Sequence, residues 1–243
     1  MDRRQSKSRT AGYVSWPSDP SIVAAAALWG LAALLYLAAE TTAAHALPGY
    51  SYSRDYISLL GEPRFGHLWG RMVGSPLSGI MNTGFICEGA LYIVAAGLTC
   101  AAMQGSGERK MLFAVCLVHG VGNILVGIFH AGQAATNMVP LHPIGAIMAI
   151  SGGNLASIYF PIAMNKFDLS SGTRTASVLL GSLGLACLLM LGVNITLGQV
   201  IFPDGVWERG SVYAITAWEF LVSASMLRRA TVLRSGRSTD RGV

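Results

Sequence analysis

Six apolar runs divide this chain, and each is close to the length of about 20 residues that an α-helix needs to cross a bilayer. Only 12% of the 243 residues are charged, whereas soluble domains carry about a quarter. The mean hydropathy is +0.50. These features predict an all-α integral membrane bundle of six transmembrane helices, at about residues 21–40, 76–103, 111–131, 143–164, 176–199 and 211–227.

Positively charged residues are distributed unevenly between the segments that flank these helices. If both termini are cytoplasmic, only Arg54, Arg64, Arg71 and Arg209 of the 17 Lys and Arg residues lie outside. That bias agrees with the positive-inside rule. The sequence therefore predicts a multi-pass protein of the plasma membrane, with a cytoplasmic segment at residues 1–20, a transmembrane domain at 21–228 and a basic cytoplasmic tail at 229–243.

The net charge of +5 does not indicate nucleic-acid binding, because the positive residues flank the helices instead of forming one basic face. The expected partners are membrane lipids, which the basic tail would meet at an anionic leaflet, and a lipid-soluble small molecule. No metal or other cofactor is predicted. The cysteines lie singly within apolar runs, at Cys87, Cys100, Cys116 and Cys187.

The longest polar interruption runs from Gly49 to Pro76 and holds several charged residues. Connections between helices in a bundle are usually only a few residues long, so this segment is expected to cover something. We interpret it as an extracytoplasmic lid, with Asp55 at its inner edge. An ordinary surface pair with Arg54, or a helix cap, is the alternative role for Asp55.

Five stretches carry a resemblance to a known family: DYISLLGEP (Asp55–Pro63), SPLSGIMNTGFI (Ser75–Ile86), GNILVGIFHAG, LHPIGAIMAISGGNLA (Leu141–Ala156) and VWERGS (Val206–Ser211). Together they resemble a family of six-helix prokaryotic membrane proteins known only as a domain of unknown function. The resemblance covers roughly residues 20–230. It implies the six-helix fold and a role for the Asp55–Ser58 motif, but no activity. Glu88 and Glu219 stand where an aliphatic residue would be ordinary, which favours a specialised role.

Glu88 and Glu219 are carboxyl residues within predicted membrane helices. Such residues cost about 2.5–3.5 kcal/mol on insertion scales and usually serve a function. Both lie on the order of 12–17 Å below the outer surface, at comparable depth, since their helices run in the same direction. Polar and small residues share their helix faces, so we expect a cavity that opens outward. Spacing alone leaves open whether the two carboxyls face each other.

A carboxyl group in such a cavity would be a neutral proton donor, which suits general acid chemistry on a hydrophobic substrate. We therefore predict Glu88, Glu219 and Asp55 as catalytic residues. Glu88 or Glu219 would be the acid, and Asp55 would be the partner that sets the charge or removes the final proton. Aromatic and polar neighbours are predicted to bind the substrate: Phe85, Tyr92, His119, Asn123, Phe129, Tyr213 and Trp218.

The leading functional hypothesis is a proton-initiated terpene or meroterpenoid cyclase. In architecture and residue type the chain is similar to the small integral-membrane terpene cyclases, although no long motif is shared. A proton-coupled transporter and a non-catalytic subunit of a membrane complex are the alternatives. The transporter would use the same carboxyls. The separate structural alternative is that Glu88 and Glu219 only hydrogen-bond Asn, Ser or Tyr across helices, with His119 as a satisfied interhelical histidine.

Overall fold

The computed structural model describes residues 20–68, 71–103, 107–132, 140–165, 167 and 169–239. Residues 1–19 of the predicted N-terminal segment and residues 240–243 of the predicted tail lie outside the described residues.

Within these described residues, six α-helices form a ring in sequence order, each packed against the next, and the last helix closes the ring against the first. The first five are long and apolar enough to cross a membrane, and the sixth is the longest and more polar. The predicted helical membrane bundle is therefore confirmed. The helices are α1 (Pro20–Ala46), α2 (Ser78–Ala101), α3 (Gly107–Ile128), α4 (Leu141–Ala163), α5 (Ser171–Leu197) and α6 (Asp204–Thr239).

Two helices extend furthest beyond the ends that hydropathy suggested. α1 continues past Glu40 to Ala46, because Glu40 is buried against a cation and does not mark the membrane surface. α6 begins at Asp204 instead of near Ser211. Arg209, which the sequence placed in a loop, consequently lies on α6 and faces inward, with 6% of its surface exposed.

Glycines bring the backbones of α2, α3 and α4 into direct contact. A Cβ atom on Gly120 of α3 would lie 2.5 Å from the carbonyl oxygen of Gly89 on α2. One on Gly145 of α4 would lie 2.9 Å from the carbonyl oxygen of Gly122. Small residues permit this approach in membrane bundles, where dispersion contacts replace the hydrophobic effect as the force between helices.

Residues 47–68 and 71–77 cross one end of the bundle, and we call them the cover segment and that end the cover end. The segment contains a 3-10 turn at Ile57–Gly61 and a short antiparallel hairpin, β1 (Gly66–Leu68) and β2 (Arg71–Val73). The turn buries Ile57 and Leu60, and its Gly61 carbonyl oxygen accepts a hydrogen bond of 2.9 Å from Asn82. The hairpin was not predicted from the sequence.

Aromatic side chains fill the middle of the bundle. The ring centroid of Trp29 lies 4.6 Å from that of Tyr92 and 5.2 Å from that of Trp218, both in edge-to-face geometry. Phe160 packs against Trp218 at 5.5 Å. We call these four residues the aromatic layer, and none of them exposes more than 1% of its surface.

We expect Gly122→Ala to destabilise the bundle by about 1–3 kcal/mol, since the added methyl group would meet backbone atoms that cannot move independently. Gly192→Ala is the matched control, because a Cβ there has no heavy atom within 4 Å. It should be neutral or slightly stabilising. Thermal unfolding in detergent measures both variants. Equal unfolding temperatures would contradict the close contact of α3 and α4.

Candidate functional site

Three polar side chains form a buried cluster where α2 and α3 are in closest contact. Glu88 directly precedes Gly89 on α2, and His119 directly precedes Gly120 on α3. The Nε2 atom of His119 lies 2.8 Å from Oε1 of Glu88. Asn123 donates from its side-chain amide to the other oxygen of Glu88. Glu88 and His119 are each 3% exposed, so the cluster is shielded from both water and lipid.

The hydrogen bonds of His119 determine how many protons this cluster holds. Its Nδ1 atom lies 2.6 Å from the carbonyl oxygen of Ala149, which can only accept, so Nδ1 carries a hydrogen. Nε2 then either accepts from a protonated Glu88 or donates, as part of an imidazolium, to a Glu88 carboxylate. Both states contain one proton between the two residues and have no net charge. Neutrality makes burial of the pair far less costly than burial of an isolated carboxylate.

A small cavity lies on the cover side of this cluster. Glu88, His119 and Asn123 line it together with Tyr36 and Phe85. Ile57 and Ser58 of the cover segment also contribute to its wall. The centres of water-sized spheres can occupy about 40 Å³ of it, which is room for a few water molecules. The cavity therefore joins the predicted residues Glu88, His119, Asn123 and Phe85 in one place.

A larger groove adjoins the cavity and is walled by α4, α5 and the start of α6. The volume of the groove that the centres of water-sized spheres can occupy is about 820 Å³. Four residues line both spaces, so the two are neighbours that share a wall: Ser58, Ala146, Ile150 and Glu208. Ile147 and Ile195 line the groove while 60% and 64% exposed, on helices apolar enough to cross the membrane. The groove therefore faces the lipid.

Asp204 and Glu208 stand at the polar end of the groove. Glu208 accepts a 2.6 Å hydrogen bond from the backbone N–H of Ile57. Asp204 accepts from the Tyr56 hydroxyl and, at 3.2 Å, from the amide of Asn194. The two carboxyl residues thus bind the cover segment and α5 to the first turns of α6. Sequence reasoning missed both as site residues, although Glu208 belongs to the VWERGS stretch.

Arg209 joins α6, α1 and the cover segment. Its guanidinium lies 3.1 Å from Oε1 of Glu40 and donates to the carbonyl oxygens of Tyr52 and Asp55, at 2.6 and 2.8 Å. Tyr213 donates to Glu40 as well, at 3.0 Å. Tyr213 was predicted to bind substrate, but here it satisfies a buried carboxylate.

Tyr50 completes this network from the cover segment. Its hydroxyl accepts from Arg209 and donates to the backbone carbonyl oxygen of Tyr56 at 3.1 Å. Burial raises the pKa of Tyr50, so the hydroxyl keeps its proton and can donate at neutral pH.

Several predicted residues lie outside the cavity and the groove. Glu219 is 1% exposed but belongs to neither lining, and its Oε1 has no hydrogen-bond partner among the described residues. Tyr92 and Trp218 belong to the aromatic layer. Tyr92 does pack against the cluster, since its ring centroid lies 4.0 Å from that of His119.

Asp55 and Phe129 contribute local structure at the cover end. The Asp55 carboxylate accepts a 2.7 Å hydrogen bond from the backbone N–H of Ser51, which closes a turn of the cover segment. Phe129 follows α3, and its carbonyl oxygen contacts Nδ1 of His142 at 2.7 Å. Neither residue lines the cavity, so Asp55 is not positioned beside Glu88 or Glu219 there.

The fold and this cluster define a class of protein: a multi-pass helical membrane protein with a proton-holding polar site beneath a folded cover segment. The chain belongs to the family described as protein of unknown function (DUF998), whose profile matches residues 30–225. The family resemblance inferred from the sequence is thereby confirmed. No curated protein and no solved structure matches the chain significantly. In the described part of the chain, no group of three His, Cys, Asp or Glu side chains is placed to hold a metal ion.

We expect Arg209→Met to destabilise the protein by about 3–5 kcal/mol, because it leaves the carboxylate of Glu40 buried without its charge partner. The double variant Glu40→Leu with Arg209→Met removes both charges and should recover more than half of the loss. Thermal unfolding in detergent measures the effect. An unfolding temperature for Arg209→Met equal to that of the wild type would show that the pair does not hold the cover end together.

Proposed function

We propose that this protein is a membrane enzyme that carries out acid–base chemistry on a lipid-soluble substrate. Most specifically, we propose a proton-initiated cyclase of an isoprenoid. The observation that supports it best is the position of the Glu88–His119 pair. It holds one proton and lines a cavity that shares four wall residues with a lipid-facing groove.

In this mechanism the pair acts first as an acid and then as a base. Glu88 breaks its hydrogen bond to a neutral His119 and transfers that proton to an alkene carbon or an epoxide oxygen of the substrate. New carbon–carbon bonds form as the resulting cation is attacked by further double bonds. The last cation loses a C–H proton to the Glu88 carboxylate, which restores the starting state. The product is an isomer of the substrate, so the sequence consumes no co-reactant.

His119 and Asn123 have positioning roles in this scheme. The Ala149 carbonyl oxygen fixes the tautomer of His119 and therefore directs Nε2 towards Glu88. Asn123 supports the carboxylate that remains after proton transfer. A carboxylate left beside the cavity also attracts the positive charge that develops on the substrate.

Aromatic rings in the cavity wall support the cationic part of the scheme. Tyr36 and Phe85 both line the cavity, with ring centroids 5.8 Å apart in edge-to-face geometry. The face of an aromatic ring attracts a cation within about 6 Å of its centroid. Phe85 was predicted in this role, whereas Tyr36 on α1 was not.

The sizes of the two spaces define how a substrate would lie. The cavity beside Glu88 has room for only a few water molecules, so it can admit the reacting end of a chain but not the whole of it. The remainder would occupy the groove and extend into the bilayer between Ile147 and Ile195.

A proton-coupled transporter could use the same pair of residues, but the aromatic layer argues against it. Trp29, Tyr92, Phe160 and Trp218 fill the bundle beyond the cluster, and none of them lines the cavity. Transport would require this layer to open, whereas catalysis within the outer half would not. Substrate flux that depends on a pH gradient in proteoliposomes would favour the transporter.

We further propose that the cover end faces outward across the plasma membrane and that both termini are cytoplasmic. The described positive residues at the opposite end support this orientation, namely Arg109, Lys110, Arg174, Arg228 and Arg229.

We expect Glu88→Gln to lower turnover at least about 100-fold, the range typical of losing a general acid. Membranes that contain the full chain are incubated with labelled linear isoprenoid alcohols and epoxides of about 15–20 carbons, and products of unchanged mass are separated by chromatography. Glu219→Gln is the matched comparison: it removes an equally buried carboxyl that does not line the cavity. It should change turnover by less than about fivefold.

Full turnover by a folded Glu88→Gln variant would remove the pair from the mechanism. Loss of turnover in Glu219→Gln alone would assign the acid role to Glu219 instead.

We expect Gly192→Phe to block the groove and to abolish turnover without unfolding the protein. Gly192 lines the groove, and a Cβ there has open space around it. Gly79→Phe is the matched control, because Gly79 is also an exposed helical glycine with open space, but on α2 away from the groove. The same chromatographic assay checks both. Equal turnover in the two variants would show that substrate does not use the groove.

A further inference from the structure

The groove has two chemically different parts. One part is apolar and open to lipid, with Leu188, Leu191 and Ile195 along α5. The other part lies at the cover end and carries Asp204 and Glu208, one helical turn apart on α6. A ligand that fits both parts is an amphiphile with its polar group at the cover end.

The carboxylates at the polar end are bonded only by neutral donors in the contacts described above. Glu208 accepts a hydrogen bond from the Ile57 N–H, and Asp204 accepts hydrogen bonds from the Tyr56 hydroxyl and the Asn194 amide. The neighbouring Arg209 offsets part of the Glu208 charge through space, although its guanidinium hydrogen-bonds to Glu40 and to backbone carbonyl oxygens. No Lys or Arg is among the described residues that line the groove.

This charge distribution excludes one class of ligand. A phosphate or diphosphate group would meet the carboxylate of Asp204, the carboxyl group of Glu208, whose pKa burial raises to about 7, and no lining Lys or Arg. Lipid replaces most of the screening water there, so the groove disfavours the activated, phosphorylated forms of lipids. Its oxygens can instead accept hydrogen bonds from a donor on the ligand.

An ammonium group would also satisfy the carboxylates, but it conflicts with the chemistry of the adjoining cavity. In the proposed function a second positive charge develops on the substrate beside Glu88, and a fixed cation nearby would oppose it. A hydroxyl group donates a hydrogen bond without adding charge. It is the polar group compatible with both spaces.

We propose that the groove binds a lipid alcohol, with its hydroxyl group at Asp204 and Glu208 and its hydrocarbon chain along α5. The inference rests on the proposed function, since it names the substrate class of that same site. It also assigns Asp204 and Glu208 as specificity-determining residues, which discriminate by repelling anionic head groups as much as by binding the hydroxyl.

Binding measurements test this assignment separately from catalysis. The full chain carrying Glu88→Gln, which does not consume the ligand, is placed in lipid nanodiscs and titrated with three C20 isoprenoids. They share one chain and end in a hydroxyl, a monophosphate or an amine. We expect the alcohol to bind at least about tenfold tighter than either of the others.

Charge variants in the same Glu88→Gln background show which residues cause the preference for the alcohol. Glu208→Gln and Asp204→Asn should each reduce the preference for the alcohol over the monophosphate by about threefold or more. Glu108→Gln is the control, because it removes the same charge at an exposed site in the first turn of α3. It should leave the preference unchanged. Gly192→Phe should abolish binding of the alcohol, and Gly79→Phe should not.

Three results would overturn the assignment: no binding of the alcohol, a monophosphate or amine bound as tightly as the alcohol, or alcohol binding that survives Gly192→Phe in a folded protein. Selective alcohol binding by a wild-type protein that converts no alcohol would instead contradict the proposed enzyme and leave the ligand class in place.

Discussion

The hydrogen bond from His119 to the carbonyl oxygen of Ala149 is the interaction on which the site depends. It fixes which ring nitrogen carries a hydrogen and thereby places a shared proton between His119 and Glu88. The bond exists only because α3 and α4 approach closely. A Cβ on Gly153 would lie 2.6 Å from the imidazole Nδ1 atom, so a glycine there makes room for the ring. The close packing of α3 against α4 is therefore required for His119 and Glu88 to hold the proton in this position.

Buried charge is handled in two different ways along the bundle. At the cover end, Glu40 is matched by Arg209 and Tyr213, and the network holds α1, α6 and the cover segment in place. Deeper in the bundle, Glu88 is matched by an imidazole that can take or release a proton. The first arrangement is permanent and suits a structural role. The second can change its protonation during a reaction, which is what acid–base chemistry requires.

Sequence reasoning predicted the helices and singled out each residue of the cluster, though not their mutual contact, because both rest on local signals. A carboxyl residue in an apolar run is conspicuous, and the spacing of His119 and Asn123 places them on one helix face. Glu40 and Arg209 were missed because they lie 169 residues apart and each stood near a predicted helix end, where charge is ordinary. The positions of Glu219 and Trp218 outside the cavity could not be predicted. Hydropathy indicates how deep a residue lies in the bilayer but not which side chains it contacts.

The proposed chemistry depends most directly on the proton held by Glu88 and His119. Nitrogen-15 solid-state NMR of the full chain in bilayers, with labelled histidine, measures it without knowledge of the substrate. Comparison with His119→Gln assigns the signal. We predict that Nδ1 of His119 carries a directly bonded hydrogen and that Nε2 is in a strong hydrogen bond, which weakens in Glu88→Gln. An unprotonated Nδ1, or an Nε2 signal indifferent to Glu88→Gln, would contradict the account.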